Sequence, residues 1–247
     1  MKLTVIGSSS SGNGYLLQAS NGETLMLEAG IKMQEVKRVL NWTLAGVVGC
    51  LCTHRHGDHS KYLGEVAACG IRILTIEDVL TSRGLSGNHF AKVIEPLHGY
   101  ILGEFKVYVL PVCHDVPCVG FIITHEEMGR LLFLTDTMMF EYRIPNGIAH
   151  IMIEANYADD ILQANIENGT VPASTRNRLL NSHMELETTA EILRGNDLSD
   201  VLNVILLHLS GRNSDAGRFK AYIEKASLKT TYVARPGFSL ELSTQPF

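Results

Sequence analysis

Three histidines and one aspartate fall within six positions in the stretch Cys52-Thr53-His54-Arg55-His56-Gly57-Asp58-His59. Imidazole and carboxylate are the side chains that first-row divalent ions such as zinc and manganese take as ligands. The stretch follows an apolar run, Val47 to Leu51, which reads as a buried strand. The cluster therefore lies where a strand ends and the chain turns. Gly57 lets the backbone bend sharply, which can aim His54 and His56 at one ion and Asp58 and His59 at another. A solvated loop would not need such a density of ligands beside an apolar strand.

Four further polar positions repeat the pattern. His114-Asp115 follows Val107 to Val112, Asp136 follows Leu131 to Thr135, and His208 follows Val201 to Leu207. His183 lies in a polar, helical stretch. Each histidine alone reads more simply as a satisfied structural residue; together they form a pattern around one strong motif, at the strand ends where α/β folds build their sites. The loop Gly7 to Gly14 offers backbone N–H groups and hydroxyls to an anion. It has no Walker lysine and, taken alone, reads as a flexible turn.

The elements that must position these residues can be read from periodicity. Leu3 to Ile6 is a strand. Tyr15 to Ala19 and Thr24 to Glu28 form a hairpin about Asn21-Gly22. Val36, Val39 and Leu40 mark a helix. Ser60 is placed to cap a second helix with the stripe Leu63, Val66 and Ala67, ended by Gly70. Strands follow at Ile71 to Ile76, Val93 to Leu97, Tyr100 to Leu102, Phe105 to Pro111, Val119 to Thr124, Arg130 to Thr135 and Ile148 to Glu154. Helices are expected over Asp159 to Asn168 and Thr175 to Leu180. Thr188 to Glu191 reads as a capping box for a helix ending at Gly195. Asp215 caps a helix with the stripe Phe219, Tyr222 and Ile223, after the apolar strand Val201 to Leu207. Short strands at Thr231 to Val233 and Phe238 to Leu242 close the chain. Two mixed sheets face to face with helices outside, in one domain over residues 1–247, account for this order.

Composition is that of a globular protein: 45% hydrophobic and 19% charged, with net charge −5. There is no global basic footprint, so binding to nucleic acid would need a local positive patch or a metal. Arg176, Arg178, Arg212 and Arg218 can form such a rim, or equally well sit in ordinary surface ion pairs. Five cysteines with no C-x-x-C point to a reducing compartment. No signal-peptide pattern and no bilayer-length apolar run are present. The expectation is a cytoplasmic protein with no membrane partner; oligomeric state is open.

His54-x-His56-x-Asp58-His59, followed by His114, Asp136 and His208 in this order and spacing, resembles the metallo-β-lactamase superfamily over nearly the whole chain. Within it the chain looks like the YycJ/WalJ branch, in Gly7 to Asn13, Glu154-Ala155-Asn156-Tyr157, Ser182-His183-Met184-Glu185 and His208-Leu209-Ser210 followed by Asn213. The resemblance implies an αββα sandwich and a metal-dependent DNA exonuclease. It implies that His54, His56 and His114 bind one divalent ion (zinc, manganese or iron), that Asp58, His59 and His208 bind a second, and that Asp136 bridges them. Two ions about 3.5–4 Å apart would turn a shared water into a hydroxide at neutral pH and clamp a phosphate. Asp58 would orient that nucleophile. His183, held by Glu154, would protonate the leaving oxygen of a phosphodiester substrate. Ser10, Asn13, Ser210 and Asn213 are the expected phosphate contacts. Glu28 departs from the family, which usually carries Asp there. Two alternatives stay open: hydrolysis of a small cyclic phosphodiester or thioester, and a non-catalytic metal-dependent binding module.

Overall fold

The structure, a computed structural model, describes residues 1–244. In chain order the first half holds β1 (Lys2–Gly7), β2 (Gly14–Gln18), β3 (Thr24–Leu27), α1 (Met33–Val39), β4 (Val47–Leu51), α2 (Gly57–Ser60), α3 (Leu63–Ala68), β5 (Ile73–Thr75), α4 (Glu77–Ser82), β6 (Ala91–Val93), β7 (Gly99–Leu102) and β8 (Phe105–Pro111). The second half holds β9 (Val119–His125), β10 (Gly129–Leu134), β11 (Ile148–Glu154), α5 (Asp159–Glu167), α6 (Ser174–Ser182), α7 (Leu186–Arg194), β12 (Asn203–Leu207), α8 (Ala216–Ser227), β13 (Thr230–Val233) and β14 (Ser239–Glu241).

Two seven-stranded sheets result, ordered β14-β1-β2-β3-β4-β5-β6 and β13-β12-β11-β10-β9-β8-β7. Both are mixed, as expected. The first is antiparallel through β3 and parallel from β3 to β6. The second is antiparallel from β7 to β10 and parallel from β10 to β13. Apolar side chains of the two inner faces form one cluster, including Leu3, Val5, Leu17, Leu27 and Leu51 from one sheet and Phe105, Phe121, Phe133, Met152 and Ile205 from the other. A second cluster lies outside the second sheet. There Leu186, Ala190 and Leu193 of α7 and Phe219 and Ile223 of α8 meet Ile151, Ile153, Val204 and Leu206. Strands covered on both faces are apolar throughout, which is why Val201 to Leu207 shows no alternation.

Four local expectations change. The run from Val93 to Leu97 is not a strand: pairing stops at Val93, and Pro96, which has no N–H to give a ladder, lies in the following turn. Ser60 does not cap a helix. It ends α2, donates its hydroxyl to the His56 carbonyl and accepts from Arg83 Nε. The cap of α7 is Glu185, three residues before Thr188, with its carboxylate accepting from the backbone N–H groups of Glu187 and Thr188. Helix α4 was not anticipated; it has no side-chain cap and only one and a half turns of sequence to reveal it.

Candidate metal centre

The strands that end at one edge of the sandwich deliver the ligands. β4 ends at Leu51, and the chain turns through His54 and His56 into α2, whose four residues carry Asp58 and His59. Gly30 makes this turn possible. A Cβ there would lie 1.7 Å from the Asp58 carbonyl oxygen, so only glycine lets the two backbones meet. β8, β10, β11 and β12 of the opposite sheet end just before His114, Asp136, Ala155 and His208. Asp136 and His208 both take left-handed backbone, with φ of 47° and 53°, and Glu28 across the seam has φ 66°. Such strain in three non-glycine residues at one place persists only where the surroundings fix it.

All seven expected ligands come together. Donor atoms of His54, His56, His114 and Asp136 lie within 4.8 Å of one another, and so do those of Asp58, His59, Asp136 and His208. Asp136 is common to both groups. A third group, Asp136, Glu154, His183 and His208, overlaps them. Asp136 Oδ2 stands 3.7 Å from His54 Nε2 and 3.3 Å from His59 Nε2. Asp58 Oδ2 lies 3.0 Å from His208 Nε2.

The donors fit a divalent cation. His54 Nε2, which faces Asp136, is buried without a hydrogen-bond partner. The tautomer of His54 follows from its neighbours. Thr53 Oγ1 gives its one proton to Glu28 Oε1 at 2.6 Å, so it must accept from His54 Nδ1 at 2.9 Å. Nε2 is then left with a lone pair facing Asp136, as a ligand nitrogen needs. Burial, then the charge of His59, holds His54 well below the usual imidazole range despite Asp136. Burial opposes the charge on Asp136 and Asp58, but the histidines around them outweigh it and hold both carboxyls ionised. Burial likewise opposes a proton on His208, yet Asp136, Asp58 and Glu154 raise its pKa to about 10. Ionised Asp58 and Asp136 are thus paired with protonated imidazoles, so a cation taken up by these donors would displace protons from the histidines. No thiolate belongs to the site: Cys52 is pushed far up by burial and hydrogen-bonds the carbonyls of His54 and His59, and Cys118 is buried in the same way. All five cysteines are free thiols.

Around the donors runs a cleft of about 400 Å³, lined by Ser10, Asp58, Asp115, Arg178, Ser182 and His183 among others. His183 Nδ1 is 2.6 Å from Glu154 Oε1, and its ring stacks on His208 at 5.2 Å. Of the expected phosphate contacts, Ser10 lines the cleft. Asn13 is fully buried, with Nδ2 2.9 Å from His59 Nε2, and does not reach it. Ser210 and Asn213 form a turn in which Ser210 Oγ accepts from the Asn213 N–H, and Asn213 Oδ1 accepts from Asn165. Asp115 and Asn156 gained no role from the sequence. Asp115 Oδ1 lies 3.1 Å from His114 Nε2. Asn156 Nδ2 reaches His208 Nδ1 and the His208 carbonyl. Their adjacency to β11 and to His114 was the available signal. Among the described residues no helix is long and apolar enough to cross a membrane.

No family model matches the chain. It is 23% identical over 230 residues to an exodeoxyribonuclease WalJ of Streptococcus pneumoniae, covering 86% of this chain and 83% of that one. It is 24% identical over 229 residues to an exodeoxyribonuclease YycJ of Bacillus anthracis, covering 87% and 84%. Among solved structures, the metallo-β-lactamase fold protein YhfI from Bacillus subtilis superposes with a TM-score of 0.74 at 18% identity, over 97% of this chain and 98% of that one. The fold is the metallo-β-lactamase fold, and the His/Asp groups at the strand ends could hold divalent metal. Within that fold, the chain is similar to the YycJ/WalJ branch.

Proposed function

We propose that the protein is a two-metal phosphodiesterase that degrades DNA as an exonuclease in the cytoplasm. In this reading His54, His56 and His114 hold one divalent ion, Asp58, His59 and His208 hold a second, and Asp136 joins them. Zinc, manganese and iron all suit such nitrogen and oxygen donors. The ions would supply an acidified water and withdraw charge from a phosphate. Asp58 orients the attacking water: its Oδ2 lies beside the His208 and His59 nitrogens, where the second ion would sit, which leaves Oδ1 for the proton. His183 delivers a proton from Nε2 to the departing sugar oxygen, while Glu154 keeps hold of Nδ1. Ser10 offers a hydroxyl to the phosphate, and Asn13, Ser210 and Asn213 stiffen the loops that shape the cleft.

The observation that carries this reading is the His183–Glu154 pair beside the donor cluster. A sugar alkoxide leaves poorly, so an oriented general acid at this place contributes about 10²–10⁴-fold to cleavage of a phosphodiester. The names of the two exodeoxyribonuclease relatives support DNA as the polymer. The test is a time course on a linear 5′-labelled duplex with manganese, beside Asp136→Ala. Progressive shortening that the variant abolishes is expected. Intact DNA with metal bound to the protein would overturn the assignment in favour of a small phosphodiester or thioester.

A further inference from the structure

The sequence offers four arginines as a positive rim, and the structure separates them. Arg176 is paired with Asp159 at 2.7 Å and also donates to Gln163. Arg218 grips Asp160 with both nitrogens, at 2.7 and 2.9 Å. Arg212 donates to the Thr170 carbonyl. Arg178 alone of the four lines the metal cleft, and its guanidinium has no hydrogen-bond or ion-pair partner among the described residues. It is exposed, yet it remains unpaired although Asp58, Asp115 and Asp136 line the same cleft. Its own helix fixes where it points. Ser182, one turn further along α6, also lines the cleft and anchors that turn by donating Oγ to the Arg178 carbonyl at 2.7 Å. Side chains four apart lie on one helix face. His183 follows directly as the helix ends.

We infer that Arg178 binds a phosphate neighbouring the scissile one, and so selects a polynucleotide over a molecule with a single phosphodiester. This rests on the phosphodiesterase reading above. Arg178 and His183 are five positions apart at the end of α6, about 7.5 Å by the helical rise. That suits the step between adjacent phosphates of a strand better than two oxygens of the same phosphate. A guanidinium fork matches a phosphate in a bidentate manner and keeps its charge at any working pH. In a chain of net charge −5, this residue supplies a local positive contact that does not depend on metal.

The test compares Arg178→Ala, Arg178→Lys and the charge control Arg218→Ala with the parent protein. Substrates are a single-stranded oligonucleotide and bis(p-nitrophenyl) phosphate, which has one phosphodiester. For Arg178→Ala the expected result is a KM for the oligonucleotide raised about 10-fold or more, with a several-fold smaller loss on the single diester. The slope of log kcat/KM against log salt should fall by about one. Arg178→Lys should recover part of the loss, and Arg218→Ala should leave KM within about twofold. Equal losses on both substrates, or an unchanged KM, would overturn the inference. Affinity for a fluorescent oligonucleotide, read by anisotropy with calcium in place of manganese, decides the point without turnover. A 10-fold weaker Kd in Arg178→Ala supports the role, and an unchanged Kd removes it. If the parent protein binds DNA in this way but never cleaves it, the catalytic reading fails while the phosphate contact stands.

Discussion

Glu28 Oε1 stands 2.6 Å from Thr53 Oγ1, and through that hydroxyl it decides which nitrogen of His54 faces the metal centre. The carboxylate accepts the only proton Thr53 can give. The hydroxyl oxygen then has to accept from Nδ1, and Nε2 is left bare. Glu28 is fully buried and also lies 3.4 Å from His59 Nδ1, so one carboxylate orients ligands of both proposed ions.

Removing the middle member of this relay tests it. Thr53→Val keeps the side-chain shape but frees the His54 tautomer. Metal affinity should drop about 10–100-fold, the usual effect of losing a group that orients a ligand. Thr53→Ser should stay near the parent value. Titration of the metal-stripped protein with zinc or manganese measures both; equal affinity in Thr53→Val would show that the relay has no hold on the ligand.

His183→Ala separates acid catalysis from metal binding. Phosphodiester kcat should fall about 10²–10⁴-fold, with metal content unchanged by elemental analysis. Glu154→Gln should lie between the parent and that variant, because an amide oxygen can still accept from Nδ1. Metal lost together with His183 would place the imidazole among the ligands, as the third donor grouping allows.

A different histidine governs acid stability. His150 is fully buried, with Nδ1 3.2 Å from Asn203 Nδ2, and burial lowers its pKa from the usual 6.5 to about 4. The unfolded chain binds a proton below pH 6.5 that the folded chain refuses until about pH 4. Stability therefore falls as pH drops through that window, by about 2 kcal/mol between pH 7 and pH 5 and by about 3 kcal/mol in full. His150→Gln should remove that share of the acid slope. Denaturant melts at pH 7 and pH 5 would show it as a smaller difference than in the parent; an identical difference would rule it out.

What could be read in the sequence follows from locality. The His54 to His59 motif is contiguous, and His114, Asp136 and His208 each follow an apolar strand, so type and spacing marked them as candidates, while their ligand roles came from the family resemblance. The two mixed sheets follow from strand periodicity and short turns, but the seven-strand order of each is set only by the pairing in the fold. What escaped is non-local or weakly signalled. Asn13 looked like a phosphate contact because its loop is rich in small polar residues; only the fold turns its amide inward onto His59. Arg178 is indistinguishable from Arg176 until Asp159 and Asp160 take up the neighbouring cations. Thr188 had the pattern of a cap, but the buried stripe of α7 begins at Leu186 and draws the helix start back to Glu185.

The donor atoms come from both sheets: His54, His56, Asp58 and His59 from the end of β4, and His114, Asp136 and His208 from the ends of β8, β10 and β12. Ser8, at the end of β1, also accepts the backbone N–H of His208 across the same seam at 2.9 Å. An ion shared by these side chains would act as a rivet through two plates. Sliding of one plate over the other would alter bond lengths at the rivet long before it exposed any core. A cavity cut into the core shared by the two sheets would then be registered first as looser metal, and only later as a lower melting temperature.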